Sequence, residues 1–168
     1  MSKLKNLIAE LERNVTNASE GLPDEIFYFV SRVTPFVNVD LLIDIPGKGI
    51  LLTWRDDGYV SAGWHIPGGI IRFKEKAKKR IDLVAKEELG IKIDLARGPV
   101  EIKEIFANHK DRAHFISLLY SCTIDKKNLE IINDKILLNP KQISFFKKKP
   151  KNLISSHEIY ASFFSEKL

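Results

Sequence analysis

The sequence predicts a single mixed α/β domain, an α+β arrangement in which helices near both ends of the chain enclose a set of strands. With 168 residues, 44% of them hydrophobic, the chain is long enough for one substantial core and too short for two comfortable ones. Apolar residues recur at helical spacing near both termini, while the middle alternates β-rich runs with Pro and Gly turns. We therefore expect one domain over residues 1–168.

Two helices are predicted near the N-terminus. An apolar stripe at helical spacing predicts a helix over residues 2–19, so residues 1–20 are expected to form a helical extension. Pro23 followed by two acidic residues is typical of a helix start, and it predicts a second, short helix over residues 26–33. This helix should end before Pro35, because the residue preceding a proline is forced out of the α region.

The strands are predicted from β-rich runs bounded by turns. Pro46 and Gly47 suit the two central positions of a hairpin turn, so the strands on either side are expected to pair. A second hairpin is expected around residues 108–112, and a closing helix over residues 152–164. Residues 129–138 remain ambiguous. The predicted strands are residues 36–44, 49–54, 64–66, 91–95, 100–107, 114–124 and 142–146.

The charge pattern favours an anionic ligand or simply maintains solubility. The formal net charge is +5 and the pI is near 9.2, which is compatible with nucleotides as ligands. The densest basic cluster, residues 147–151, lacks interleaved aromatic residues. It therefore indicates a solvated loop rather than a nucleic-acid surface.

Membrane association and disulfide bonding are not expected. The apolar runs are shorter than a membrane span, and the polar N-terminus lacks the apolar region of a signal peptide, so we expect a cytoplasmic protein. The single cysteine, Cys122, excludes an intramolecular disulfide. Because it lies in a strand-like run, it is predicted to be a buried small hydrophobe.

The stretch from residue 63 to residue 91 carries the pattern that points to chemistry. Pro67 stiffens the backbone ahead of Gly68 and Gly69. We expect these glycines to turn sharply and to let the chain approach a ligand closely, since glycine tolerates φ > 0 and has no β-carbon in the way. A phosphate is the type of group that such a loop accommodates.

A helix with acidic residues near both ends should follow the glycines. Glu75 is expected in its first turn, where a carboxylate suits the helix dipole, and Gly90 is a natural residue to close it. Glu87 and Glu88 stand near its C-terminus, where two adjacent carboxylates repel each other and oppose the dipole. A bound cation is the simplest compensation.

Residues 69–91 resemble the Nudix box, which reads Gly, five residues, Glu, seven residues, then Arg-Glu-aliphatic-any-Glu-Glu-any-Gly-aliphatic. The resemblance implies the Nudix fold, a mixed β-sheet sandwiched between helices, here with an extra N-terminal helix. It also implies a hydrolase that binds the diphosphate of a nucleoside diphosphate derivative through Mg²⁺ or Mn²⁺. The residues in register are Gly69, Glu75, Ala85, Glu87, Glu88, Gly90 and Ile91.

Two neighbouring box positions are altered. Leu83 and Val84 replace the Arg-Glu pair, which removes one metal-binding carboxylate and the arginine that pairs with box acids. The missing carboxylate would have stood four residues before Glu88, on the same helix face. We therefore expect one ion rather than a multi-metal cluster, and we expect Lys79 and Arg80 to supply part of the lost positive charge.

A wider resemblance points to the GDP-mannose mannosyl hydrolases, a Nudix branch whose box also lacks a Glu and which cleaves the C–O bond of the sugar. It covers residues 22–124 and, more loosely, the end of the chain around residues 159–164. By position it implies that Arg55 contacts the diphosphate. The implied metal ligands are Gly68, through its backbone carbonyl, Glu88 and Gln142.

This chain departs from that branch at two functional positions. The branch has an arginine directly after the two glycines, where Ile70 stands here, and Arg72 is expected to substitute because it lies on the same strand face. The branch also has a histidine as general base after the metal-binding Gln, where Ile143 stands here. The four histidines are then the candidates for the base. We expect His114 to serve, ahead of His65, His109 and His157.

The predicted function is a Mg²⁺-dependent hydrolase that acts on a nucleoside diphosphate sugar and releases the sugar and the nucleoside diphosphate. The metal and the arginines would neutralise charge on the leaving group. The predicted catalytic residues are Arg55, Arg72, Glu87 and His114, and the predicted substrate-binding residues are Arg55, Arg72, Gly68 and Gly69.

Two other functions remain open. One is a pyrophosphatase that cleaves a P–O–P bridge, for example in ADP-ribose, with Glu87 and Glu88 sharing the metal. The other is a catalytically inactive module that binds or senses nucleotide sugars, since a fold does not guarantee chemistry. The resemblance also implies a homodimer.

Overall fold

The computed structural model describes residues 2–58, 61–135 and 142–164. Within them, both predicted N-terminal helices are present, but the first ends at Arg13 and not at residue 19. The segment left ambiguous is helical as far as residue 135, and its remainder lies outside the described residues. The helical elements are α1 (Lys3–Arg13), α2 (Asp24–Val33), α3 (Ala77–Val84), a π-helical turn (Ala85–Leu89), α4 (Lys126–Lys135) and a 3₁₀ helix (Ser155–Phe164).

The strands form two sheets. In the first, the order is β5-β1-β7-β6, and β1 runs parallel to β7 while the other pairs are antiparallel. In the second, β3 pairs antiparallel with β2, β4 and β8. The strands are β1 (Phe36–Leu42), β2 (Asp44–Ile45), β3 (Gly49–Arg55), β4 (Gly63–His65), β5 (Gly68–Ile70), β6 (Asp94–Phe106), β7 (His114–Thr123) and β8 (Ile143–Phe146).

The first predicted hairpin is correct at its turn and wrong for most of its length. The Lys48 N–H donates to the Ile45 carbonyl (2.9 Å) across Pro46 and Gly47, and the two-residue strand β2 pairs with β3 across this turn. The strand β1 lies in the other sheet, between β5 and β7. Its central residues are buried on both faces, which is typical of a strand whose sheet is covered on both sides.

The strand β6 joins two stretches that the sequence predicted as separate. It runs for 13 residues and pairs with β7 in the second predicted hairpin. The register shifts between Leu95 and Arg97 and again between Arg97 and Glu101. Bulges of this kind break the alternation of apolar and polar residues, so the sequence pattern predicts two short strands where the structure has one.

The predicted sandwich of sheet between helices is confirmed by two hydrophobic clusters. Neighbouring residues of one strand, such as Leu51 and Leu52, belong to different clusters, because successive strand residues point to opposite faces. One cluster packs beneath α3 and the π-helical turn, and the other beneath the 3₁₀ helix. Cys122 is buried as predicted, and burial raises the pKa of its thiol to about 12.

Among the described residues, no helix has both the length and the apolar composition that a membrane span requires.

Candidate functional site

A cleft of about 990 Å³ opens where the two sheets meet. Its floor and walls come from β1, β3, β4 and β5, and α2 and the 3₁₀ helix contribute to its rim. This volume lies at the upper end of the range of about 300–1,000 Å³ that is typical of small-molecule sites. Residues from both sheets therefore converge on a space large enough for a nucleotide derivative.

Glu88 is held in a fixed orientation at this cleft. The helix after the glycines widens from α3 into the π-helical turn, and Gly90 closes it in the left-handed region with φ 68°. Within the turn, the Gly68 N–H donates to Glu88 Oε1 (3.1 Å) and the Thr53 hydroxyl donates to Oε2 (2.8 Å). The sequence predicted a continuous helix, because hydrophobic periodicity does not reveal a single widened turn. Such turns are frequent at functional sites.

His65 lies beside Glu88. Its Nδ1 stands 2.9 Å from the Thr53 carbonyl oxygen, which it can only approach as a donor. Its Nε2 is 3.3 Å from Glu88 Oε2. A second histidine, His157, packs edge-on against the His65 ring, and its Nδ1 accepts a hydrogen bond from the Ile66 N–H (3.1 Å). Burial, with smaller electrostatic contributions from the neighbouring His65 and Arg55, holds the pKa of His157 well below its usual value, so the His157 ring is neutral.

The two glycines fit the site for a reason that differs from the one expected. Both lie in the extended strand β5 and neither has a positive φ. A Cβ on Gly68 would lie 2.2 Å from Asp40 Oδ1, and a Cβ on Gly69 would lie 2.8 Å from Val84 Cγ2. Glycine is therefore required by close packing of β5 against β1 and α3, and not by a sharp turn.

Glu75 has a structural role outside the helix. It was expected in the first helical turn, but α3 begins at Ala77 with Lys76 as its N-cap. The buried guanidinium of Arg80 donates to both Glu75 oxygens (2.8 and 3.0 Å). Burial raises the pKa of Glu75, but the hydrogen bonds from the Arg72 N–H and from Arg80 outweigh it and leave the pKa below its usual value. Arg80 thus supplies the positive charge that the arginine of the usual box would carry at the position of Leu83.

Two further arginines lie at the cleft, where carboxylates are also present. Arg55, at the end of β3, contacts Asp57 through Nε (2.7 Å) and Nη2 (2.5 Å). Arg72 follows β5, and its guanidinium donates to the Glu20 carbonyl. Both line the cleft. A guanidinium has five N–H donors, so these contacts position each side chain while leaving it suited to bind an anion.

A buried polar network on the cleft floor was missed by the sequence analysis. Asp40 accepts hydrogen bonds from the Asn38 amide (2.9 Å), the Tyr160 hydroxyl (2.6 Å) and the Ser117 hydroxyl. Burial raises the pKa of the Asp40 carboxyl even though these hydrogen bonds act in the opposite direction. The available signal was the pair of polar residues at alternate positions of the otherwise apolar strand β1.

An aromatic wall stands on the α2 side of the cleft and was also missed. The rings of Phe27 and Phe36 stack with centroids 5.0 Å apart, and the Phe115 ring lies 6.5 Å from that of Phe36. The Arg112 guanidinium lies 5.6 Å from the Phe27 ring centroid. Apolar rings with a cation beside them suit the flat face of a nucleobase.

The structure brings five of the predicted site residues together and leaves three apart. The five that line the cleft are Arg55, Gly68, Gly69, Arg72 and Glu88. Glu87 has an exposed side chain outside the cleft lining. His114 stacks on Phe106 on the exposed side of the β6–β7 pair, outside the cleft lining. Gln142 also lies outside the lining, and its carbonyl accepts from the Trp54 N–H (2.8 Å). Roles for these three remain predictions.

The donors around Glu88 fit one divalent ion. Mg²⁺ is commonly bound through one or two carboxylates, while waters and substrate phosphates complete its shell. Glu88 supplies one carboxylate that two hydrogen bonds already orient. In residues 2–58, 61–135 and 142–164, no group of three or more His, Cys, Asp or Glu side chains converges on an ion position.

The chain has the Nudix fold. It superimposes on a UDP-X diphosphatase with a TM-score of 0.55, covering 95% of this chain and 74% of that one at 19% identity. It matches a MutT Nudix hydrolase from Burkholderia pseudomallei with a TM-score of 0.55, covering 77% and 98% at 17% identity. The resemblance drawn from residues 69–91 is thus confirmed in the fold.

Two further comparisons concern particular proteins. An ADP-ribose pyrophosphatase from Streptococcus suis matches with a TM-score of 0.50, covering 79% of this chain and 88% of that one at 19% identity. In sequence, the chain is 25% identical over 128 residues to the low-salt glycan biosynthesis protein Agl8 of Haloferax volcanii, covering 74% of this chain and 81% of that protein. No family model matches the chain.

Proposed function

We propose that this chain is a hydrolase that cleaves a nucleoside diphosphate sugar between the sugar and the diphosphate. The observation that carries the proposal is the cleft itself, in which Arg55 and Arg72 face the same space as the oriented carboxylate of Glu88. Arginines and a metal-binding carboxylate together suit a diphosphate. The names of the similar proteins, a UDP-X diphosphatase, an ADP-ribose pyrophosphatase and a glycan biosynthesis protein, agree with this substrate class.

In the proposed reaction, water attacks the anomeric carbon and the bond from that carbon to the diphosphate oxygen breaks. Arg55 and Arg72 bind the diphosphate and neutralise the charge that grows on it as it leaves. A Mg²⁺ or Mn²⁺ ion held by Glu88 would add further electrostatic stabilisation of that leaving group. The aromatic wall of Phe27, Phe36 and Phe115 binds the base.

The attacking water must lose a proton. Asp40 is one candidate acceptor within the cleft, because burial raises the pKa of its carboxyl and three hydrogen bonds fix its orientation. His65 and His109, two of the histidines predicted as candidates for the base, also line the cleft. His114, the predicted base, lies outside the cleft lining, and its catalytic role remains a prediction.

Cleavage of the C–O bond is favoured over cleavage of the P–O–P bridge by the packing at Val84. Attack on phosphorus is commonly assisted by several ions that bind both the attacking and the leaving oxygens. Val84 is buried against Gly69 where the box has a carboxylate, so a second ion lacks that ligand. Attack on a sugar with a diphosphate leaving group needs fewer ions, because arginines carry much of the negative charge that develops on the diphosphate.

The reaction can be tested with GDP-mannose and ADP-ribose in H₂¹⁸O, in the presence of Mg²⁺, with mass spectrometry of the products. We expect the label in the released sugar. Label in a phosphate product would contradict the proposal and support a pyrophosphatase. Glu88→Gln should lose turnover. Glu87→Gln tests whether the neighbouring carboxylate also contributes to catalysis, as the sequence predicted. The exposed Glu10→Gln serves as control.

A binding module is a second candidate, and one observation favours it. Ile143 stands where the mannosyl hydrolase branch has its base, and its side chain is buried in the cluster beneath α3. Mg²⁺-dependent binding of a nucleotide sugar, with no product after prolonged incubation, would support this function. Turnover that Glu88→Gln abolishes would exclude it.

A further inference from the structure

We propose that His65 is a second protein ligand of the ion at Glu88, so that the site takes a divalent transition-metal ion in preference to Mg²⁺. The proposal rests on the proposed function only in placing an ion at Glu88. It assigns a nitrogen ligand from the strand β4 to a site whose predicted ligands are all oxygens. The ions concerned are Mn²⁺, Co²⁺ and the other divalent ions of the first transition row.

The first argument is the tautomer of His65. Its Nδ1 lies 2.9 Å from the Thr53 carbonyl oxygen, and a carbonyl only accepts, so the proton is on Nδ1. The lone pair of the neutral ring is then on Nε2, the nitrogen that points to Glu88. Metal-binding histidines commonly donate their other N–H to a backbone carbonyl or a carboxylate in this way, which fixes both the tautomer and the ring.

The second argument is distance. His65 Nε2 and Glu88 Oε2 are 3.3 Å apart. Two ligand atoms about 2.1 Å from one ion, at an angle of about 90–110°, lie roughly 3.0–3.4 Å from each other. Two lone pairs that face each other at this separation repel unless a positive species lies between them. A metal ion is one such species, and a proton, which would make an imidazolium–carboxylate ion pair, is the other.

The third argument is that both ligands are preorganised. The Glu88 carboxylate is fixed by the Gly68 N–H and the Thr53 hydroxyl. His65 is fixed by its hydrogen bond to the Thr53 carbonyl and by contact with the His157 ring. His157 also accepts a hydrogen bond from the N–H of Ile66, the residue that follows His65. The side chains of His65 and Glu88 are only 12% and 19% exposed, so little ordering remains to be done when an ion binds.

The sheet explains why the ligand comes from β4. Thr53 is paired with His65 on one side and with Ile143 on the other, so the three residues form one row across the second sheet. His65 approaches Glu88 from this row. The helix position that would carry a carboxylate is Val84, which packs on Gly69. His65 thus supplies a ligand that the box lacks.

Ion preference follows from ligand type. Water, carboxylate and carbonyl ligands suit Mg²⁺, whereas an imidazole ligand raises affinity for first-row transition ions along the series from Mn²⁺ to Cu²⁺. With one imidazole and one carboxylate, the remaining positions belong to water and to diphosphate oxygens. We therefore expect tighter binding of Mn²⁺ and Co²⁺ than of Mg²⁺.

Mn²⁺ is the probe for the test, without any substrate turnover. Electron spin-echo envelope modulation of the Mn²⁺-loaded protein, alone and with GDP, should show ¹⁴N modulation from a bound imidazole. The modulation should disappear in His65→Gln and persist in His114→Gln, which removes a histidine outside the cleft. Mn²⁺ affinity should fall about tenfold or more in His65→Gln, while Mg²⁺ affinity changes far less.

His65→Glu is a second variant, which keeps the proposal testable if His65→Gln does not fold. It should bind Mn²⁺ without ¹⁴N modulation and shift the preference towards Mg²⁺. Bound Mn²⁺ without ¹⁴N modulation in the unmodified protein would overturn the proposal, and so would tighter Mg²⁺ binding in His65→Gln, the signature of an ion pair that blocks the site. Neither result bears on which bond is cleaved, which the ¹⁸O experiment decides separately.

Discussion

At the scale of single residues, space decides the identity of the two glycines in the strand β5. The Cβ position at Gly68 faces Asp40 Oδ1 (2.2 Å) and the Val39 carbonyl (2.9 Å), and that at Gly69 faces Val84 Cγ2 (2.8 Å) and Arg80 Cδ (3.2 Å). One glycine therefore packs against the polar cleft floor. The other packs against the box helix, on the opposite face of the strand.

Gly69→Ala should lower the free energy of unfolding by about 1–3 kcal/mol, the usual cost of overpacking a core. Because the obstructing atom is on Val84, the double variant Gly69→Ala/Val84→Ala should be less destabilised than the sum of the two single variants by about 0.5 kcal/mol or more. Urea denaturation measures both. Gly68→Ala combined with Val84→Ala is the matched control and should be additive, and equal coupling in both pairs would contradict the packing.

The ion pair between Glu75 and Arg80 gives a second prediction. Glu75→Gln leaves a buried guanidinium without its carboxylate and should cost about 3 kcal/mol at pH 7, the lower end of the range for breaking a buried pair. The folded-state pKa of Glu75 is below the ordinary value of 4.5. This stability is therefore present above about pH 4.5 and is lost as pH falls through the folded-state pKa.

The measurement is the difference in unfolding free energy between the protein and Glu75→Gln from pH 7 to pH 3. The difference should shrink only below about pH 4.5. The exposed Glu10→Gln should show almost no difference at pH 7. A difference for Glu75→Gln that stays constant down to pH 3 would mean that the carboxylate charge is not what stabilises the fold.

The sequence predicted those site residues whose partners are close in the chain or fixed by a motif. Gly69 and Glu88 could be placed because the box spacing specifies one loop and one helix. Asp40 could not be recognised, since its partner Tyr160 is 120 positions away and the two meet only when the sheet packs on the 3₁₀ helix. The pairing of His65 with Glu88 likewise depends on how β4 lies beside β3, which no local pattern records.

At the scale of elements, the helix α1 stands apart from both clusters. None of its side chains is buried, and Leu4 and Leu11 of its apolar stripe are 65% and 44% exposed. The periodicity predicted this helix correctly, but the same stripe would normally indicate a face packed on a core. Helical spacing alone does not show whether an apolar face has a partner in the same chain.

Deletion of residues 2–13 should change the free energy of unfolding by no more than about 0.5 kcal/mol, because surface changes away from buried contacts have effects of this size. Chemical denaturation measures it, and Ile81→Ala in α3 provides the contrast, with an expected loss of about 2–5 kcal/mol. Sedimentation of both forms also tests the homodimer implied by the resemblance. A large loss of monomer stability on deletion would show that α1 packs on the domain.

At the scale of the whole molecule, the cleft joins the two sheets. Asp40 and Gly68 come from the first sheet, and Thr53 and His65 come from the second. Each of the two hydrophobic clusters contains residues of both sheets. A ligand in the cleft should therefore stabilise the whole fold and not one half of it.

This coupling can be measured by thermal unfolding with Mn²⁺ and GDP-mannose. A ligand at 100 times its Kd stabilises the folded state by about 2.7 kcal/mol, and each kcal/mol raises Tm by about 2–4 °C in a protein of this size, so Tm should rise by roughly 5–11 °C. The two tryptophans, Trp54 and Trp64, both lie in the second sheet, and their fluorescence reports on that sheet. Far-UV circular dichroism reports on the whole fold.

The two signals should shift together, because one cooperative transition gives coincident curves by different probes. Glu88→Gln, with its ion ligand removed, should unfold with nearly the same Tm with and without the ligand. If ligand moved the tryptophan transition and left the circular dichroism transition in place, the cleft would stabilise only the second sheet. The two sheets would then be separate cooperative units, and the shared clusters would not couple them.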